Sequence, residues 1–178
     1  MWLQNWQSTG CCLNSILNVK EEDNMKNDKH AEFWFERPEE SVGFLLWQIT
    51  NLWQRKLNSA LKELDLTHVQ FSLLAGIAWL ERFEKPITQV KLAKYAGTNI
   101  MMTSKVLRTL EKKGLIRREE CESDTRAKCI SITGKGIQRI EKALPLARSV
   151  DENFFENKTY DGDFIKNLAH VLELNIGK

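Results

Sequence analysis

The sequence predicts a mainly α chain with a small β-hairpin wing, a winged helix-turn-helix flanked by N- and C-terminal helices. Three observations carry that prediction. Between Thr88 and Thr133, a short helical period, a glycine turn, a second helical period and a basic hairpin follow one another. Outside that stretch apolar residues recur at helical spacing, and the whole chain has just nine glycines and three prolines to interrupt them. Positive charge is concentrated in the same stretch: residues 88–135 hold eleven Lys/Arg against five Asp/Glu, although the net charge of the chain is +2.

Residues 1–40, by contrast, carry four basic and eight acidic side chains. A local basic patch attracts phosphates and releases their counterions, so the expected partner is an anionic polymer, with double-stranded DNA first. The 178 residues, 42% apolar and 28% charged, suit one globular domain or one small domain with helical extensions. The longest apolar run, Leu73–Leu80, falls far short of the ~20 residues that span a bilayer, so no membrane partner is expected. The N-terminus lacks the basic and apolar regions of a secretory signal. Cysteine and histidine show no metal-site spacing: Cys11 and Cys12 are adjacent, Cys121 and Cys129 lie on opposite arms of the hairpin, and His30, His68 and His170 are scattered. A cytoplasmic protein with reduced thiols, no metal and no cofactor is expected. No phosphate loop or nucleophile arrangement is present, and the adjacent carboxylates Glu39-Glu40 and Glu119-Glu120 do not make an acid/base pair, so no enzyme activity is expected.

Element by element, residues 1–37 read as an N-terminal extension, disordered or loosely helical, within which Met25 is a candidate start. A long helix follows Pro38, a residue suited to a first turn. Val42, Leu45, Leu46, Ile49, Leu52, Trp53, Leu57, Ala60, Leu61 and Leu64 keep helical spacing, and Phe44 and Trp47 widen the apolar surface. Such a helix packs a partner subunit as well as its own core, or else is fully buried within one subunit. Thr67 and Gln70 make a capping box, and Leu66 with Phe71 a hydrophobic staple, for a second helix running to about Phe83. Thr88 caps a short helix with Val90, Leu92, Ala93 and Tyr95; Gly97 makes the turn; Asn99 caps the helix Ile100–Lys113, which Gly114 ends. Ile100, Thr103, Val106, Leu107 and Leu110 are candidates for its packed side. Leu115–Arg118 begins one strand, Glu122–Lys128 forms the wing tip and Cys129–Ile132 returns. Thr133 caps a helix bearing Ile137, Ile140, Leu144 and Ala147, and a last helix covers about Asp163–Leu174. Terminal helices this apolar point to burial against a partner.

The run Leu92-Ala93-Lys94-Tyr95-Ala96-Gly97, then Met102-Thr103-Ser104-Lys105-Val106-Leu107-Arg108 through Gly114-Leu115-Ile116, resembles the MarR family of bacterial transcription regulators. Asp124-Thr125-Arg126 is similar to that family's Asp-x-Arg wing, and Ile132-Thr133-Gly134-Lys135-Gly136 to its Leu-Thr-x-x-Gly helix start. The resemblance covers roughly residues 38–175. It implies a homodimer joined by dimerisation helices at 38–65 and 137–175, with a winged lobe at 66–136 that reads one half of a pseudo-palindromic operator. It also implies a repressor that a small-molecule effector releases from DNA.

A recognition helix presents its first turns to base edges in the major groove. Asn99, Met101, Met102, Ser104, Lys105 and Arg108 are the exposed candidates. Lys105 and Arg108 donate to guanine or to phosphate; Met101 and Met102 contact thymine methyls or simply pack. The hydroxyls of Thr103 and Ser104 suit phosphate oxygens, and Arg117, Arg118 and Lys128 are expected to serve phosphates as well. By the resemblance, Arg126 enters the minor groove and Asp124 orients it; the alternative is an ordinary exposed ion pair. Trp47, Trp53, Trp79 and Phe83 would line an effector pocket, although aromatic core packing is the simpler account. Two other readings stay open. One is a winged-helix module that contacts proteins through its basic face; the other is a redox-responsive regulator acting through Cys121 and Cys129.

Overall fold

The computed structural model describes residues 35–121, 124–159 and 162–175, without the side chains of residues 39, 124–127 and 156–159. Of the extension expected at residues 1–37, residues 1–34, with Met25 as a start and the cysteines at 11 and 12, fall outside the described residues. Arg37–Lys178 forms one compact unit. Its elements, in order, are a 3-10 turn Pro38–Glu40, α1 Val42–Leu61, a second 3-10 turn Lys62–Leu64, α2 His68–Leu80, β1 Ile87–Thr88, α3 Gln89–Tyr95, α4 Ile100–Lys112, β2 Ile116–Cys121, β3 Asp124–Ile132, α5 Gly134–Thr159 and α6 Gly162–Asn175. The mainly α architecture with a small hairpin wing is the one the sequence predicts.

Several boundaries follow from local chemistry. Pro38 opens its own 3-10 turn rather than the long helix, and the half-turn is closed by Ser41, whose buried hydroxyl accepts from the Phe44 amide at 3.3 Å. Thr67 and Gln70 satisfy each other's backbone amides as a capping box, which fixes the start of α2. The helix ends at Leu80, before Phe83, and Ile87–Thr88 is a strand the apolar periods did not announce. That strand pairs Ile87 with Ile130 and Thr88 with Cys129, giving a three-stranded antiparallel sheet in the order β1-β3-β2. The segment 124–128, expected in the wing tip, is already strand. The helix after Thr133 runs on to Thr159, through Pro145.

One core holds these pieces together. Leu57 and Leu61 of α1, Leu73, Leu74 and Ile77 of α2, Ile87 of β1, Leu92 of α3, Leu107 and Leu110 of α4, and Leu115 are essentially free of solvent. Fully burying each such leucine contributes about 1.5–3 kcal/mol. The first half of α1 differs: Val42, Leu46 and Trp47 are exposed, as are Leu168, Val171 and Leu172 of α6. An open groove of about 530 Å³ lies between them, lined by Leu45, Ile49, Trp53, Phe155 and Phe164 among others. Of the two readings for the long helix, full burial within one subunit is therefore overturned. No helix among the described residues is long and apolar enough to cross a membrane.

Candidate nucleic-acid interface

The helix-turn-helix is built by two paired terminal locks. At the end of α3 the Thr98 amide donates to the Ala93 carbonyl at 2.9 Å and the Gly97 amide to Lys94 at 3.2 Å, with Gly97 left-handed at φ 61°. This is a Schellman closure, and glycine enters that backbone region without a Cβ penalty. Asn99 then caps α4, its Oδ1 accepting from the Met101 amide at 2.8 Å. The far end repeats the device: Gly114 has φ 70°, its amide donates to Glu111 at 2.8 Å, and the Leu115 amide donates to Leu110 at 3.0 Å.

Between these locks α4 divides into two faces. Thr103, Leu107 and Leu110 are buried. On the opposite side Met101, Lys105, Arg108 and Lys112 are exposed, and at 100° per residue they fall within an arc of about 60°. Met101 is the most exposed, at 82%. Ile100 and Met102 flank it and are also exposed, while Ser104 is half-buried. Among the described residues neither Lys105 nor Arg108 forms an ion pair with a carboxylate. Thr103 takes the packed-side place the sequence offered it and not the phosphate contact. It is fully buried, donates to the Asn99 carbonyl at 3.0 Å and shares a 2.8 Å hydrogen bond with Thr98, so its hydroxyl holds the turn and does not face a phosphate.

In the wing, β2 and β3 pair from Ile116↔Ile132 to Glu120↔Lys128, with an irregularity between Glu120 and Cys121. Arg117 is exposed. Arg118 is turned inward: its side chain is 14% accessible, Nη1 lies 3.6 Å from a Glu111 oxygen of α4 and Nη2 donates to Gln89 of α3 at 3.5 Å. Lys128 is engaged with Glu120 across the hairpin at 3.0 Å. Both therefore differ from the free phosphate-facing cations expected. Asp124 and Arg126 lie on β3, and their side chains are outside the described residues. Cys121 and Cys129, expected as free thiols, are joined by a disulfide with Cα atoms 5.1 Å apart. A cross-strand disulfide is a covalent brace, not in itself a switch.

Thr133 is the helix cap the sequence predicts, its hydroxyl accepting from the Gly136 amide, but the anchoring of this lobe is not legible there. The Thr133 hydroxyl donates to the Gly114 carbonyl at 2.7 Å and the Lys135 ammonium to the Lys113 carbonyl at 2.8 Å, so the start of α5 satisfies the orphan carbonyls at the end of α4. Gly136 permits that approach: a Cβ there would sit 2.1 Å from the Leu115 carbonyl oxygen. Glu81 accepts from the Ile132 amide at 2.7 Å and ties α2 to β3. The Thr-x-x-Gly pattern was the available signal for the first of these; Glu81 carried none.

Core packing accounts for Trp53, which lies partly buried against the core, and not for the other three aromatic residues. Trp47, Trp79 and Phe83 are exposed, and Trp53 is half-buried with its indole N–H donating to Asp151 at 2.7 Å. The Arg82 guanidinium stands over the Trp79 ring, 5.0 Å from its centre, and 5.8 Å from that of Phe83. A second open cavity, about 430 Å³, is lined by Gly76, Trp79, Arg82, Tyr95, Ile140 and Leu144, where α2, α3 and α5 meet.

A short capped helix, a glycine turn, an amphipathic basic helix and an antiparallel wing define a winged helix-turn-helix protein, the architecture of DNA-binding transcriptional regulators. Residues 66–128 match the model of the MarR family. The HTH-type transcriptional regulator YdcH of Bacillus subtilis (strain 168) is 44% identical over 139 residues, covering 78% of this chain and 95% of the relative. The transcriptional regulator HosA of Escherichia coli O157:H7 is 33% identical over 111 residues, covering 62% of this chain and 74% of the relative. A crystal structure of mutant MarR from Escherichia coli, complexed with operator DNA, matches with a TM-score of 0.63 at 25% identity, over 75% of this chain and 91% of the other. The chain belongs to the MarR family, a family of transcriptional regulators and not of enzymes.

Proposed function

We propose that this protein is a cytoplasmic, homodimeric repressor that binds a pseudo-palindromic operator and is released by a small molecule. The observation that carries the DNA reading is the outward stripe of α4. Lys105, Arg108 and Lys112 are exposed there, opposite the buried Thr103, Leu107 and Leu110. A helix held this way inserts its first turns into a major groove, while Arg117 and the wing residues Asp124 and Arg126 meet the adjoining backbone and minor groove. Residues 66–136 then form the DNA-binding lobe. The groove between α1, α5 and α6 supports dimerisation through residues 38–65 and 137–175, because exposed apolar surface of that extent is the mark of an interface. The cavity beside Trp79 supports the effector reading: it touches α2 and α3 of the lobe and α5 of the dimerisation region, so an occupant would bias their mutual placement.

Fluorescence anisotropy against the region upstream of the protein's own gene, across a salt series, tests this reading. A steep linear fall of log affinity with log salt is expected, and Lys105→Ala and Arg108→Ala should each flatten it. Light scattering should give twice the chain mass. A monomer that ignores every duplex at low salt but captures a protein through the basic face would replace this reading with the interaction-module one.

A further inference from the structure

We infer that Met101 is a specificity-determining residue that reads the 5-methyl group of thymine in each operator half-site. The inference rests on the DNA-binding reading above and adds to it which chemical feature the first turn of α4 recognises. The hydroxyls of that turn and its one carboxamide oxygen are committed to the fold. Asn99 commits its Oδ1 to the Met101 amide, Thr103 is fully buried with its hydroxyl bonded to the Asn99 carbonyl, and Thr98 is bonded to Thr103. A bidentate contact to adenine needs both ends of a carboxamide, and Asn99 has one already engaged.

What the turn offers instead is an apolar group at its centre. Met101 lies on the same stripe as Lys105, Arg108 and Lys112, and at 82% exposure it makes almost no packing contact with its own subunit. Of the flanking apolar side chains, Met102 is half as exposed, at 41%. The thymine methyl is the apolar feature that the major groove presents. A long unbranched thioether can follow it without a demanding geometry. Lys105 and Arg108, one and two turns further along the stripe, supply the charge that holds the helix against the duplex.

The test begins with duplexes recovered from a random-sequence library by the full-length protein. Each thymine in the recovered half-site is replaced in turn by deoxyuridine, which removes the methyl and keeps every hydrogen-bonding group. Losing one buried methyl should weaken binding about 4-fold per half-site, so roughly 15-fold when both halves are changed. Met101→Ala should bind thymine and uracil duplexes equally, whereas Lys105→Ala should weaken both and keep the methyl preference. Wild-type protein that tolerates uracil at every position, or Met101→Ala that keeps the preference, overturns the inference while leaving DNA binding intact. Failure to recover any duplex overturns the DNA-binding reading itself.

Discussion

Replacing Gly136 by alanine should destabilise the fold for a reason that can be followed atom by atom. The new Cβ would stand 2.1 Å from the Leu115 carbonyl oxygen and 2.7 Å from Ile132 Cγ1. Ordinary C···O contacts are about 3.3 Å or longer, so the start of α5 must retreat from Leu115 by roughly 1 Å. That retreat lengthens two bonds that share the junction, Thr133 amide to Leu115 carbonyl at 3.0 Å and Thr133 hydroxyl to Gly114 carbonyl at 2.7 Å. Overpacking typically costs about 1–3 kcal/mol, and weakening these bonds adds about 1 kcal/mol. A total of about 2–4 kcal/mol should lower the melting temperature by roughly 5–15 °C in a chain of this size. Gly134→Ala is the control, two residues away, where nothing lies within 4 Å of the added carbon. Thermal denaturation followed by circular dichroism, at one fixed protein concentration because dimerisation shifts the midpoint, reads both variants. A Gly136→Ala protein that melts with the wild type would refute the close-approach argument.

Three further outcomes are expected. Arg118→Met should leave the salt dependence of DNA binding unchanged and cost less than ~1 kcal/mol of stability, because its charge is turned inward on long contacts and its buried Nε finds no acceptor among the described residues; Arg117→Ala should reduce the salt slope by about one. Leu107→Ala, at a position with no solvent exposure, should lose about 2–5 kcal/mol in urea denaturation and abolish DNA binding at temperatures where wild type is folded. Burial holds His68 below its usual value of 6.5, so the unfolded chain takes up that proton first as the pH falls; stability is full above about 6.5 and declines as the pH drops toward the lower folded value, and His68→Gln should remove that part of the slope in melts from pH 7.5 to 5.

The parts of this structure that are legible in the sequence are those decided within a few residues. Thr67 with Gln70, Thr88, Asn99, Gly97 and Gly114 each close a local hydrogen-bonding problem, and each stands where the sequence puts it. What escaped depends on distant partners. Ile87–Thr88 is too short to show a period and becomes a strand because β3 lies beside it. Thr103 is a mixed case: its place in the 3.6-residue cycle with Leu107 and Leu110 is legible, whereas the partner of its hydroxyl, Thr98 rather than a phosphate, is not. Arg118 and Lys128 count toward a basic patch in composition, whereas Glu111 and Glu120 engage them in space. The aromatic residues Trp79 and Phe83 look like core material, yet Trp79 on the outer side of α2 and Phe83 in the turn after it are both left in solvent.

The unbroken run of α5 from Gly134 to Thr159 sets a mechanical tolerance. Its 26 residues span about 39 Å, one tip bolted to the reading helix through Thr133 and Lys135 and the other bordering the apolar groove. Over such a lever arm, a rotation of about five degrees at the groove end carries the opposite tip roughly 3 Å, the height of a single base step. On the proposed operator of two half-sites, such a lever would demand angular accuracy of a few degrees where the subunits join, and the seam would be as much a part of the ruler as the residues that touch bases.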